Sequence, residues 1–140
     1  MRLFNLTVIL LILLLNSAYA GDVSSLVALA QSSSESGHHH ESFETYWLAF
    51  RQEPDNIEIN FNLGIEAAAI SDNESAVMAF ERVLLLDPGA TQAKIELGKA
   101  FYKLGALKTA RHYFSEVLSA DDLPQQARIN IQHILDTSGN

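Results

Sequence analysis

The sequence predicts an all-α fold, a short solenoid of three helix-turn-helix repeats closed by a C-terminal capping helix. Three observations carry that prediction. The first is self-similarity at a fixed offset. A shift of 34 residues takes Leu63-Gly64, Ala76, Phe80 and Val83 onto Leu97-Gly98, Ala110, Phe114 and Val117 without a gap. The same shift backwards lands on Leu29-Ala30, Ser42, Tyr46 and Ala49, and brings Pro54 under Pro88. The second is helical periodicity, with apolar residues three and four apart, as in Val23, Leu26, Leu29 and Ala30. The third is punctuation between the helices by Pro54, Asp87-Pro88-Gly89 and Gly105. A period of this length marks units that bury their apolar faces only against neighbouring units. The repeats fall at about 23–56, 57–90 and 91–124, with the capping helix at about 124–137.

The chain begins with a segment outside this pattern. Met1-Arg2 is a short positive start, Leu3 to Leu15 an apolar core broken only by Asn5 and Thr7, and Ala18-Tyr19-Ala20 a small-x-small cleavage site. Residues 1–20 are thus expected to be a cleaved signal peptide, with Gly21 as the mature start and export to the periplasm as the consequence. The alternative is an uncleaved anchor, since an apolar run of about 18 residues just spans a bilayer. The chain has no cysteine, so it carries neither a lipid-modified Cys nor a disulfide framework, and packing between repeats must stabilise it.

The first helix is predicted over roughly Asp22 to Gln31, followed by the polar run Ser32 to His40, read as a frayed helix end and loop. The second covers about Glu41 to Gln52, with Phe43, Tyr46, Trp47 and Phe50, and stops at Pro54. In the central repeat Asp55 or Asn56 caps the third helix, and Ser71-Asp72-Asn73-Glu74 reads as a capping box opening the fourth. The third repeat places helices over about Thr91 to Leu104 and Leu107 to Ala120. Pro124 then suits the first position of a seventh helix, with Asp121-Asp122 favoured by its dipole. The stripe Ala127, Ile131, Ile134 and Leu135 is expected to seal the open apolar side of the third repeat, and Thr137 to Asn140 to form a tail.

The order Leu-Gly, small residue, aromatic four residues on, and closing Pro resembles the tetratricopeptide repeat (TPR) family over residues 23–124. The family's aromatic at the fourth position of each repeat is replaced here by Leu26, Asn60 and Lys94. Gly64 would cost about 1 kcal/mol inside a helix relative to Ala. The resemblance supplies a reason for it, a close approach to Ala76 on the partner helix, repeated by Gly98 and Ala110. The resemblance further implies a concave groove lined by the first helix of each repeat. By position, the groove residues are Glu58, Phe61, Ile65, Gln92, Ile95, Lys99, Tyr102 and Lys103. This gives an apolar floor with a basic end, suited to an extended or helical peptide with apolar anchors and an acidic flank. The alternative is that Phe61, Ile65 and Ile95 are core residues. Phe61 and Ile65 occupy two positions of the clamp with which some chaperone-associated members hold a pair of carboxylates, so that mode of recognition is not expected. More narrowly, Lys94 to Gly105, Ala110 to Leu118, Leu123-Pro124 and Arg128 to Ile131 resemble the periplasmic repeat domain of surface lipoprotein assembly modifier proteins. That resemblance implies a link to outer-membrane assembly, with the barrel missing from this chain.

Charge and motifs narrow the function. Without Arg2, eight basic residues face seventeen acidic ones, a net charge of −9, and nucleic acid is not an expected partner. The charge is uneven: residues 21–90 hold two basic and twelve acidic residues, whereas Lys94, Lys99, Lys103, Lys108 and Arg111 crowd the third repeat. No nucleophile-base pair, Gly-rich phosphate loop or HExxH spacing is present, so neither an enzyme nor a cofactor is expected. His38-His39-His40 could hold a divalent metal with Glu35 or Glu41, but consecutive side chains rarely converge on one ion, and no metal site is assigned. The sequence thus reads as an exported adaptor. Its partner would be a protein or peptide, either an outer-membrane β-barrel or an exported client, and it would touch a membrane only through the signal peptide or that partner. A metal- or ligand-sequestering protein using the His tract, and a truncated repeat remnant of a larger barrel protein, are the alternatives.

Overall fold

The computed structural model describes residues 22–120 and 123–137, which form seven helices. They are α1 (Val23–Glu35), α2 (His39–Gln52), α3 (Ile57–Ala69), α4 (Asn73–Leu86), α5 (Thr91–Lys103), α6 (Leu107–Leu118) and α7 (Gln125–Thr137). Each packs on the next along the chain, and α3 also meets α5, so the helices stack as hairpins α1/α2, α3/α4 and α5/α6 with α7 laid against α6. The expected signal peptide over residues 1–20, the expected start at Gly21, Asp121-Asp122 and residues 138–140 lie outside the described residues. No described helix is long and apolar enough to cross a membrane.

The core is divided along the solenoid. Ala30, Tyr46 and Ala49 of the first hairpin meet Ile59, Leu63 and Ala79 of the second. Ala67, Ala76 and Phe80 meet Leu97 and Ala100. Finally Ala110, Phe114 and Val117 meet Leu123 and Ile131, so the predicted capping stripe does seal the third repeat, with Ala127, Ile134 and Leu135 packed beside it. Each cluster joins one unit to the following one. Burial is therefore complete only when a neighbour is present, as the period implied.

The two helical glycines have a different partner from the one expected. A Cβ on Gly64 would lie 2.6 Å from the Phe80 ring, and one on Gly98 would lie 2.6 Å from the Phe114 ring. The nearest atoms belong to the aromatics, not to Ala76 or Ala110. Both rings are fully buried and have nowhere to retreat. The glycine thus makes room for an aromatic face. In the first hairpin Ala30 and Tyr46 hold the same places.

The inner turns repeat as strictly as the core. Gly37, Ser71 and Gly105 fall 34 residues apart, and all three have positive φ, at 77°, 66° and 75°. In each, the next residue donates back to a carbonyl five residues earlier: His38 to Ser33 (2.8 Å), Asp72 to Ala67 (2.9 Å) and Ala106 to Phe101 (2.9 Å). This is the Schellman closure of a helix C-terminus. It explains two departures from the predicted boundaries. The polar run Ser32–Glu35 stays helical because the carbonyls of Ser32, Ser33 and Ser34 are used in this closure, so α1 runs on to Glu35 and α2 begins at His39. Ser71 belongs to the closure of α3, so it does not open a capping box. Asp72 instead caps α4, accepting from Ser75 N–H (3.1 Å). Asn56 caps α3, accepting from Ile59 N–H (3.2 Å).

Other joints also differ from the sequence reading. Pro124 precedes α7 and offers its carbonyl to Arg128 N–H (3.1 Å), so it lies one place earlier than expected. The Arg128 guanidinium donates to Leu118 O (2.7 Å) and Ala120 O (3.1 Å), tying α7 to the end of α6. Asn60, at the family's aromatic position, is fully buried and its amide donates to Pro54 O and Asn56 O, both at 2.8 Å. Arg82 reaches the same loop through Pro54 O (2.9 Å) and Asp55 (2.6 Å).

Two stability outcomes follow. Gly98→Leu drives a side chain into the Phe114 ring, and overpacking of about 1–3 kcal/mol should lower the melting temperature by at least several degrees; an unchanged melt contradicts the contact. Ser71→Gly relieves a left-handed serine and should raise stability by up to about 1 kcal/mol in urea unfolding, whereas destabilisation would mean that the φ of 66° is not held in solution.

Candidate peptide-binding groove

The first helices of the hairpins, α1, α3 and α5, supply the predicted groove residues, and the structure gives these unequal access. Glu58, Gln92 and Lys103 are exposed; Phe61, Ile65, Lys99 and Tyr102 are half-buried. Ile95 is only 5% exposed, packed in the cluster with Phe114 and Ile131, so it supports the floor and offers no surface to a ligand. Phe61 and Ile95 share a register, yet Phe61 leans edge-on against Phe80 with ring centroids 5.7 Å apart and remains half-buried. One register further, Ile129 of α7 is 52% exposed. The sequence reading ended the repeats at 124 and missed this position, although the shift of 34 residues marks it.

The basic end is thinner than the sequence suggested. Lys94 pairs with Glu116 of α6 at 3.0 Å, a bond that holds the Glu116 carboxyl below its usual range. Lys99 pairs with Glu96 at 2.9 Å, and Gln92 donates to the same oxygen at 2.8 Å. The side chains of Lys103, Lys108 and Arg111 have no partner among the described residues, so the unpaired positive charge lies at the end of α5 and the first turns of α6.

At the other end stands a buried acid that the sequence reading placed on no site. Glu66 of α3 is 3% exposed. The Ser34 hydroxyl of α1 donates to its Oε1 (2.6 Å), and His39 Nδ1 at the start of α2 donates to its Oε2 (2.8 Å). Three helices thus meet on one carboxylate. Beside it Tyr46 is buried, and burial first, then the negative charge of Glu66 and Glu58, pushes its phenol up, partly offset by a hydrogen bond with Gln31. The His tract finds its use here: His39 is a clasp, and no group of three potential metal ligands occurs among the described residues.

A depression of about 520 Å³ lies outside the groove, between α2 and the start of α4. It is lined by Phe43, Glu44, Trp47, Leu48, Asp72 and Ser75, and Leu48 is 48% exposed. Trp47 stacks obliquely on Phe50 (5.4 Å) and approaches Phe43 (6.2 Å). Of the four aromatics that the sequence places on this helix, only Tyr46 is buried, and Phe43, Trp47 and Phe50 are half-buried.

The fold is that of the tetratricopeptide repeat. The chain superposes on the first TPR domain of Spaghetti (RPAP3) bound to an HSP90 peptide with a TM-score of 0.75 at 17% identity, covering 84% of this chain and 94% of that one. It superposes on the Yersinia enterocolitica type III secretion chaperone SycD in complex with a peptide of the translocator YopD at 0.72 and 13% identity, covering 82% and 90%. The Sgt2 TPR domain of Aspergillus fumigatus matches at 0.69 and 19% identity, covering 83% and 76%. No protein-family model and no curated protein matches the chain. None of these neighbours is a surface lipoprotein assembly modifier, and that narrower resemblance gains no support from them.

The clasp has a measurable role. Glu66→Ala leaves Ser34 and His39 without their acceptor, and two lost hydrogen bonds of about 1 kcal/mol each should speed amide exchange around residues 34–39 by about tenfold or more. Glu66→Gln, which keeps an acceptor oxygen, should exchange nearly as the native protein does. Equal exchange in the Ala variant would show that the clasp holds nothing.

Proposed function

We propose that this protein is an exported interaction module whose α1/α3/α5 groove holds a peptide segment of a client protein, and that it performs no chemistry of its own. The observation carrying the reading is the combination of half-buried apolar side chains, Phe61, Ile65 and Tyr102, with free positive charge at Lys103 on the first-helix face. Apolar side chains left open on such a face are a common mark of partner binding. Two neighbours of the same fold were solved with peptides, one of HSP90 and one of YopD, which supports peptide capture as the mode. The client chemistry here differs from a two-carboxylate chaperone tail, because Phe61 and Ile65 stand where a clamp would need polar groups. The apolar leader Leu3 to Leu15 with Ala18-Tyr19-Ala20 supports a periplasmic place of work. There the client is an exported protein, with an outer-membrane β-barrel as the class that the sequence resemblance favours.

The test is photo-crosslinking from position 102 in the living cell envelope, with captured proteins identified by mass spectrometry. A defined exported protein captured there, and lost when Lys99→Glu and Lys103→Glu are combined, is the expected result. Absence of crosslinks from a well-folded protein contradicts the groove reading.

A further inference from the structure

Between α1 and α3 the groove wall opens into a cavity of about 220 Å³ with both polar and apolar walls, lined by Gln31, Ser34, Tyr46, Asn62, Ile65 and Glu66, together with Glu35. We propose that this cavity is a subsite for one cationic side chain of the peptide ligand, an Arg or Lys whose charged head is held by the Glu66 carboxylate. The proposal rests on the peptide-binding reading and specifies the ligand's chemistry.

The argument starts from the cost of burying a carboxylate. An ionised acid removed from water is stabilised only by hydrogen bonds and an opposite charge. Glu66 has the first in part: each oxygen receives one hydrogen bond, from Ser34 and from His39, and a carboxylate has about four acceptor sites. It lacks a permanent form of the second. His39 is charged only if protonated. Among residues 22–90 the only Lys or Arg residues are Arg51 and Arg82, and Arg82 is committed to Asp55 and the Pro54 carbonyl. Glu35 lines the same cavity and adds negative charge there, and the Tyr46 phenol, raised first by burial, is raised further by the charge of Glu66.

The cavity's size and polarity suit such a head. At about 220 Å³ it is smaller than a typical small-molecule pocket of about 300–1,000 Å³, the scale of one side chain. Asn62 and Gln31 supply amide oxygens, and Ile65 offers an apolar wall for the methylene stem. A guanidinium, with five N–H donors in a plane, can use several of these acceptors at once. Lys103 stands free at the far end of the groove, so the ligand is a segment with a cation over α1/α3, apolar residues over Phe61 and Ile65, and an acid over α5.

The test uses N-acetyl-arginine amide as the probe in an NMR titration, with the uncharged N-acetyl-citrulline amide as its isostere. The expected result is saturable, millimolar-range shifts at the Gln31 and Asn62 side-chain amides and the Ile65 methyls with the arginine probe. These should fall at least fivefold with citrulline and disappear in Glu66→Gln, whose thermal melt should match the native one. Equal shifts from both probes, no shifts at all, or shifts that survive Glu66→Gln overturn the proposal. Should Glu66→Gln fail to fold, the arginine-citrulline comparison on the native protein decides alone. The probe never engages Tyr102, so failure here leaves the crosslinking result standing, whereas failure there removes the peptide ligand and leaves only the cavity's binding of the arginine probe.

Discussion

Everything in this chain depends on how closely two helices of a hairpin can approach. At Gly64 and Gly98 the first helix gives up its side chain so that Phe80 and Phe114 of the second can lie against its backbone. Gly costs about 1 kcal/mol in a helix, and a buried aromatic contributes more than that through the 150–250 Å² it removes from water. The contact closes the hairpin, and the closed hairpin presents Leu63 and Leu97 to the preceding unit, where both are fully buried. Local closure and inter-repeat packing are thus one arrangement seen from two sides.

The groove is a by-product of that stacking. Because α1, α3 and α5 share a register, their side chains fall in rows, and what each row offers depends on what lies behind it. Behind Ile95 lies the cluster of α6 and α7, which draws the side chain inward; Phe61 packs on the edge of the cluster around Phe80 and stays half-buried. The Glu66 clasp fixes the other end of the surface by joining α1, α2 and α3 through one carboxylate. The acidic half of the chain is therefore more firmly held than a run of serines and histidines would suggest.

How much of this could be read from the sequence depends on range. The 34-residue shift, the helical stripes and the Pro and Gly punctuation are local signals, and the helices they mark are present. Their boundaries moved where a backbone bond decided the end. Gly37 closes α1 beyond Gln31, and Ser71 takes a left-handed conformation that a serine rarely adopts. Long-range effects were out of reach. Glu66 looks like any solvent-facing acid until residues 27 and 32 positions away are brought to it. Asn60 looked like a missing aromatic, yet it is buried and latches the Pro54 loop. The glycine's partner was misread for a related reason. Ala76 is small and nearby, but the atoms that fill the space belong to a ring one turn further along.

The most direct test of the account is a double-mutant cycle on Gly64→Ala and Phe80→Leu, followed by urea unfolding. With Phe80 in place, the added methyl group has no room and should destabilise by about 1–3 kcal/mol. With Leu at position 80 the obstruction is gone, and helix propensity should make the same change neutral or stabilising by up to about 1 kcal/mol. A coupling energy above about 1 kcal/mol is the predicted result. Effects that add to within about 0.5 kcal/mol would show that the glycine and the ring are independent, and would contradict the contact on which the fold is argued to rest.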